Sequence, residues 1–250
     1  MTSSTSHSRT ALVTGAAGGL GEAFALRLAA RGHALVLTDR ADCTPLARRL
    51  VEQGSRVTVI GCDLGDAQDV QRLAAEALAW AGGCIDVLLN NAAFMPHMPL
   101  ARLTPALWRQ IMAVNVDAPL LLAQALAPAM AERRWGRIIN LASSTVWGPP
   151  PGMSAYATSK MAVIGLTRAL AAELGGQGIT VNAISPGLTR HPGSAAHLPP
   201  EAFEGVRSRQ FIPRTEVPED LTGALAFLAG DDSAFVTGQV LNVDGGGFGF

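Results

Sequence analysis

The stretch from Thr10 to Ala30 constrains the fold more than any other. Thr10 to Thr14 is a short apolar run of strand type, Gly15-Ala16-Ala17-Gly18-Gly19-Leu20-Gly21 follows at once, and Glu22 to Ala30 carries a helical pattern. Strand, glycine turn and helix in direct succession leave the first amides of the helix pointing outward, where the helix dipole favours an anion. Glycines also let the backbone approach a phosphate closely. The spacing is GxxxGxG rather than GxGxxG, and a glycine cluster alone is equally a tight turn. With its flanks, it predicts a dinucleotide diphosphate site at Gly15, Gly18, Gly19, Leu20 and Gly21.

The rest of the chain repeats this alternation. Ala34 to Thr38 is a strand ending in Asp39, about 20 residues past the glycines, where a carboxylate binds both ribose hydroxyls and repels a 2′-phosphate. NAD is therefore expected over NADP, although the neighbouring Arg40 can pair with a 2′-phosphate or stack on adenine. Pro45 to Gln53 reads as a helix and Val57 to Cys62 as a strand. Asp63 and Leu64 follow at its carboxyl end, Asp63 either accepting from an adenine amino group or closing a turn. After the helical Ala67 to Trp80, the strand Val87 to Leu89 ends in Asn90-Asn91-Ala92-Ala93, a pair of asparagines able to join backbone and ribose.

Thr104 caps a helix running to Met112 with Pro105 at its first position, and Asn115 is expected to interrupt it. Leu120 to Met130 is apolar on nearly every face except Gln124, which predicts burial on both sides and a second chain over one of them. Arg137 to Leu141 is a strand delivering Ser143 and Ser144. Thr180 to Ile184 is another, turned by Pro186-Gly187 into a long excursion over about 188–212 that reads as a substrate lid. Glu219 to Ala229 is a helix and Val240 to Val243 the last strand. Seven strands alternating with helices imply an α/β fold with a parallel doubly wound sheet in a single domain, residues 10–250, behind a disordered tail of residues 1–9.

Within the helix Ala155 to Leu174, Tyr156 and Lys160 stand four residues apart, on one face. A free phenol ionises near pH ~10 and a fixed cation nearby lowers that value, so the pair is expected to move protons at carbonyl carbon. Alone, YxxxK is a common chance match.

Composition narrows the function classes. The 250 residues are 48% hydrophobic, ample for one large core, and 19 basic against 20 acidic residues give a net charge of −1 with no basic cluster for nucleic acid or an anionic membrane. Cys43, Cys62 and Cys84 show no CxxC spacing and the five histidines no HExxH, so neither disulfides nor zinc are expected. Without a signal-peptide pattern or an uninterrupted membrane-length apolar run, the chain reads as cytoplasmic, acting on small neutral molecules.

Together, Thr14 to Gly21, Asn90-Asn91-Ala92, Asn115, Ser143, Tyr156 to Lys160 and Pro186-Gly187 resemble the short-chain dehydrogenases/reductases over residues 10–247. The resemblance implies a three-layer Rossmann-type sheet, a nicotinamide cofactor, and a homotetramer whose main interface pairs the two apolar helices. It also implies roles: Tyr156 as acid/base, Lys160 lowering its pKa and holding the nicotinamide ribose, Ser143 bonding the substrate oxygen, Asn115 anchoring a relay water. Cofactor contacts carry over to Asp63, Leu64, Asn90, Ala92, Pro186, Gly187 and Thr189. Trp135 to Trp147 and Val217 to Asp244 are similar to the phenylethanol dehydrogenase branch, pointing to a small aromatic or cyclic alcohol/ketone substrate lined by Phe94, Met95, Ser143, Trp147 and Tyr156. Two departures stand out: NNAA with Ala93 at a usual glycine, and His191 where threonine is frequent. The enzymatic rival is a 3-oxoacyl thioester (acyl carrier protein) reductase, against which Asp39 argues. A non-catalytic dinucleotide sensor is the rival from another class, and such a protein can dispense with the four catalytic residues this chain keeps.

Overall fold

The computed structural model describes residues 8–248. Seven strands, β1 (Thr10–Thr14), β2 (Ala34–Thr38), β3 (Val57–Val59), β4 (Val87–Asn90), β5 (Gly136–Leu141), β6 (Ile179–Pro186) and β7 (Val240–Val243), form one sheet in the order β3-β2-β1-β4-β5-β6-β7. Every pairing is parallel, with Leu12 opposite Val36 on one side and Leu88 on the other.

Strands covered on both faces read as continuous apolar runs, because neither face meets water. Leu12, Val36, Leu88, Ile138 and Val181 face one core, which takes Leu73 from α3 (Ala67–Trp80) and Leu122 and Leu126 from α5 (Ala118–Glu132). Ala11, Val13, Leu35, Leu37, Leu89 and Ile139 face the other, against Phe24 of α1 (Gly19–Ala30), Leu50 of α2 (Thr44–Glu52) and Leu225 of α9 (Glu219–Leu228). Truncating one such leucine to alanine costs about 2–5 kcal/mol. The sheet is thus a rigid platform that delivers its carboxyl-end loops to one edge. The chain order reverses between β1 and β4, where open α/β sheets bind ligands.

Several expectations are corrected. β3 ends at Val59 rather than Cys62. Asn115 does not break its helix: α4 (Pro105–Met112) runs through a π-turn, Ala113–Asp117, directly into α5. The resulting helix, Pro105–Glu132, is long and apolar enough to cross a membrane by length and composition, which the sequence reading did not anticipate. Here its apolar residues pack on the sheet. Of the expected tail, residues 1–7 lie outside the described residues, but Ser8 donates to Gly32 O (2.7 Å) and Arg9 pairs with Asp231 (2.8 Å) while stacking on Trp135.

The outward face of α6 (Ser154–Leu174) exposes Met161, Gly165, Ala169 and Ala172 together with Thr158, Arg168 and Glu173, whereas Leu170 belongs to the core. The lid holds two short helices, α7 (Pro192–His197) and α8 (Pro200–Arg207).

Candidate active site

The glycine turn is held by its neighbours. Gly15 has φ +66°, and a Cβ there would lie 2.8 Å from Ala92 Cα, so the β1 turn and the β4 turn touch backbone to backbone. Thr14 Oγ1 accepts from the Asn91 and Ala92 amides (3.0 and 3.1 Å), and Asn91 Nδ2 donates to Thr14 O and Gly15 O. Gly18 is the N-cap of α1 and offers no side chain to its first-turn amides, the arrangement of an anion site. Asp39 closes the turn from β2: Oδ2 accepts from Ala17 N (3.1 Å) and Oδ1 from Ala41 N (3.0 Å).

Other predicted contacts are more mixed. Asp63 Oδ1 accepts from Gly65 N (2.9 Å), the turn role, while Leu64 is a buried core side chain. Asn90 is buried and donates through Nδ2 to Asn140 Oδ1 (2.8 Å), and Asn140 in turn donates to Thr167 Oγ1, while Asn90 Oδ1 has no partner among the described residues. Pro186, Gly187 and Thr189 form the turn leaving β6.

The catalytic set comes from three elements. Ser143 follows β5 and its Oγ accepts from Thr145 N (3.3 Å) and Thr145 Oγ1 (2.9 Å), which leaves the Ser143 hydrogen free to donate. Tyr156 and Lys160 lie in the first two turns of α6, both buried. Lys160 Nζ donates to Leu141 O (2.6 Å) and has no carboxylate partner among the described residues. Asn115, turned inward by the π-turn, accepts from Phe94 N (2.7 Å) through Oδ1 and donates through Nδ2 to Phe94 O (3.1 Å) and Ser159 Oγ (2.9 Å). Both its amide hydrogens are committed to protein, so its side chain clamps the Phe94 loop to α6. A water relay must use other groups of Asn115.

Electrostatics correct one expectation. Burial pushes the Tyr156 phenol up to about 12, against a smaller downward pull from its hydrogen bond with Ser143. Burial alone holds the Lys160 ammonium down to about 8. The ammonium lies 5.7 Å from the Tyr156 ring centroid and its bond goes to Leu141. Burial is thus the largest influence on the phenol, and Tyr156 rests as a neutral proton donor.

Around this centre, Met95 and Trp147 are exposed at the rim and Phe94 is half-buried. His97 Nε2 meets Pro151 O (2.9 Å) and Met98 N donates to Gly152 O (2.8 Å), joining the 94–98 and 148–152 loops. Phe248 covers Gly148, where a Cβ would lie 2.5 Å from its ring. His191 begins α7 in a reciprocal cap with Ser194 and lies on Gly19, whose Cβ would fall 2.6 Å from the His191 Cβ and Cγ. Sequence reasoning missed Phe248, His97 and Glu216, for which no local motif exists.

The site fits a nicotinamide dinucleotide. The glycine turn and uncapped α1 amides suit a diphosphate, Asp39 suits a ribose, and a buried lysine with a single carbonyl acceptor has two N–H donors left for ribose hydroxyls. Known proteins agree. A family model described as enoyl-(acyl carrier protein) reductase matches residues 15–247. The (2S)-[(R)-hydroxy(phenyl)methyl]succinyl-CoA dehydrogenase subunit BbsD of Thauera aromatica is 40% identical, covering 95% of this chain and 96% of that one. Human dehydrogenase/reductase SDR family member 4 is 36% identical, over 95% and 87%. A crystal structure described as an NAD(P)-dependent gluconate 5-dehydrogenase from Beutenbergia cavernae, with NADP at low occupancy, superposes with TM-score 0.91 at 37% identity over 97% of each chain. The chain belongs to the short-chain dehydrogenase/reductase family, oxidoreductases acting on CH–OH groups.

Proposed function

We propose that the protein is an NAD(H)-dependent oxidoreductase interconverting a small aromatic or cyclic secondary alcohol and its ketone, assembled as a homotetramer through α5 and α6. The observation that carries the chemistry is a buried Tyr156 one helical turn from a buried Lys160 whose only bonded partner among the described residues is the Leu141 carbonyl. The cofactor choice rests on Asp39. Each of its oxygens takes one backbone amide and keeps a lone pair for a ribose hydroxyl, while a 2′-phosphate would face a fixed like charge.

Bound nicotinamide supplies or removes hydride at the alcohol carbon. The residues do the rest. In reduction, Tyr156 gives its phenolic proton to the forming alkoxide while Ser143, committed by Thr145 to donating, bonds the same oxygen. Lys160 is mostly charged at pH 7 and compensates the phenolate left behind. In oxidation the phenolate must form first, so a phenol held near 12 favours reduction at neutral pH and makes oxidation rise with alkalinity.

The aromatic substrate class draws on the rim of Phe94, Met95, Trp147 and Phe248. It draws also on the 40% relative, whose name carries a hydroxy(phenyl)methyl group. That name also carries a CoA thioester, so a thioester-bearing alcohol is the second reading. Absorbance at 340 nm with NAD+ or NADP+ and 1-phenylethanol, a cyclic alcohol or a 3-hydroxyacyl thioester tests both. Turnover of the thioester alone, or equal use of NADP+, contradicts the proposal.

A further inference from the structure

Glu216 lies outside the catalytic set, yet it is built into the turn the cofactor reading uses. It is buried, and its carboxylate accepts from the Gly187 amide (3.0 Å) and the Thr189 hydroxyl (2.5 Å). Its backbone carbonyl accepts from Arg190 N (2.7 Å), extending a parallel bridge between Thr189 and Glu216. The fit is close enough that a Cβ on Gly187 would fall 2.6 Å from Glu216 Oε2.

The charges facing this carboxylate are Arg214 and Asp220, paired with each other, and the buried Asp244, whose oxygens accept from Gly246 N and Phe248 N. No cation bonds Glu216 itself among the described residues. Burial pushes its carboxyl up to about 7, Asp220 and Asp244 push the same way, and the bonds from Thr189 and Gly187 pull down. Near neutral pH the group is thus divided between charged and neutral forms.

We propose that Glu216 is a positioning residue that clamps the Gly187–Thr189 turn behind the nicotinamide and, through its negative charge, favours the oxidised cofactor over the reduced one. The inference rests on the dinucleotide reading above. Oxidised nicotinamide carries a positive ring and reduced nicotinamide a neutral one, so a buried carboxylate behind the ring discriminates between them. At an effective dielectric of about 20, unit charges about 12–17 Å apart correspond to a preference of roughly five- to tenfold.

Calorimetric titration of the full chain with NAD+ and with NADH between pH 5.5 and 8.5 tests this. The ratio Kd(NADH)/Kd(NAD+) should rise about five- to tenfold in a step centred near pH 7, and Glu216→Gln should bind both cofactors without that step. His191, held below its ordinary value by burial, and Lys160 at about 8 are intact in the variant, so any step they cause persists there. Thr189→Val keeps the charge and removes one hydrogen bond, so its step should survive and move to higher pH. A wild-type ratio flat through pH 7, or a step near pH 7 that keeps its full size in Glu216→Gln, overturns the proposal even if the variant Thr189→Val behaves as expected. A wild-type chain that binds neither NAD+ nor NADH overturns the dinucleotide reading instead, and this inference falls with it.

Discussion

Replacing Lys160 with methionine should make the cofactor-free protein more stable at neutral pH while abolishing turnover. The ammonium is buried and its only bonded partner among the described residues is the Leu141 carbonyl. Its fall from 10.5 to about 8, at ~1.4 kcal/mol per pH unit, amounts to ~3 kcal/mol against the fold at pH 7. Methionine fills a similar volume without charge and leaves the Leu141 carbonyl unbonded, which costs about 1–2 kcal/mol. The net gain is ~1–2 kcal/mol, or roughly 3–6 °C in Tm for a chain of this size.

The sign depends on pH. A lysine depressed in the folded state contributes stability above its unfolded value of 10.5 and loses it as pH falls through about 8. The variant's advantage is therefore full below pH 8, and by pH 10 the missing hydrogen bond should leave it no more stable than wild type. Differential scanning calorimetry at pH 7 and pH 10 reads both. A variant less stable than wild type at pH 7, or a difference that does not change with pH, would refute the reasoning.

Other perturbations follow from the same geometry. Asp39→Asn removes the charge but keeps an acceptor for one of the Ala17 and Ala41 amides; kcat/KM for NADP+ relative to NAD+ should rise by a factor worth about 1–3 kcal/mol, and an unchanged ratio contradicts the role. Gly19→Ala sets a methyl against His191, so the cofactor Kd measured by calorimetry should rise about tenfold, equivalent to ~1.4 kcal/mol, and His191→Ala in the same chain should restore it. Ala169→Glu, on the outward face of α6, should dissociate the assembly and lower activity together; light scattering that finds a fully active monomer of 25.9 kDa would disprove that coupling.

The parts legible in the sequence are those set by local pattern. Apolar runs of five residues, a glycine turn between strand and helix, and a tyrosine and lysine at helical spacing each specify their element without reference to distant chain, and the seven parallel strands followed. Asn115 was misplaced because a π-turn depends on what its extra residue finds, here Phe94 and Ser159 from two other elements. The proton affinity of Tyr156 was misjudged for a similar reason. Spacing shows a cation four residues away, but the burial that raises the phenol exists only once α6 packs on β5 and β6. Glu216 carries no motif, and only the return of the lid to β6 brings it under Gly187, 29 residues earlier.

The central claim is that Tyr156 is the proton donor and acceptor in an NAD(H)-linked oxidation and reduction of a secondary alcohol. Tyr156→Phe removes one hydroxyl and little volume from a buried site. A stopped-flow comparison at 340 nm, mixing NADH-loaded wild type and Tyr156→Phe with acetophenone, separates proton transfer from cofactor binding. Wild type should oxidise NADH in a single turnover, and the variant should hold NADH with near-normal affinity while that step slows by about 10²–10⁴-fold. A variant that oxidises NADH at the wild-type rate would contradict the account.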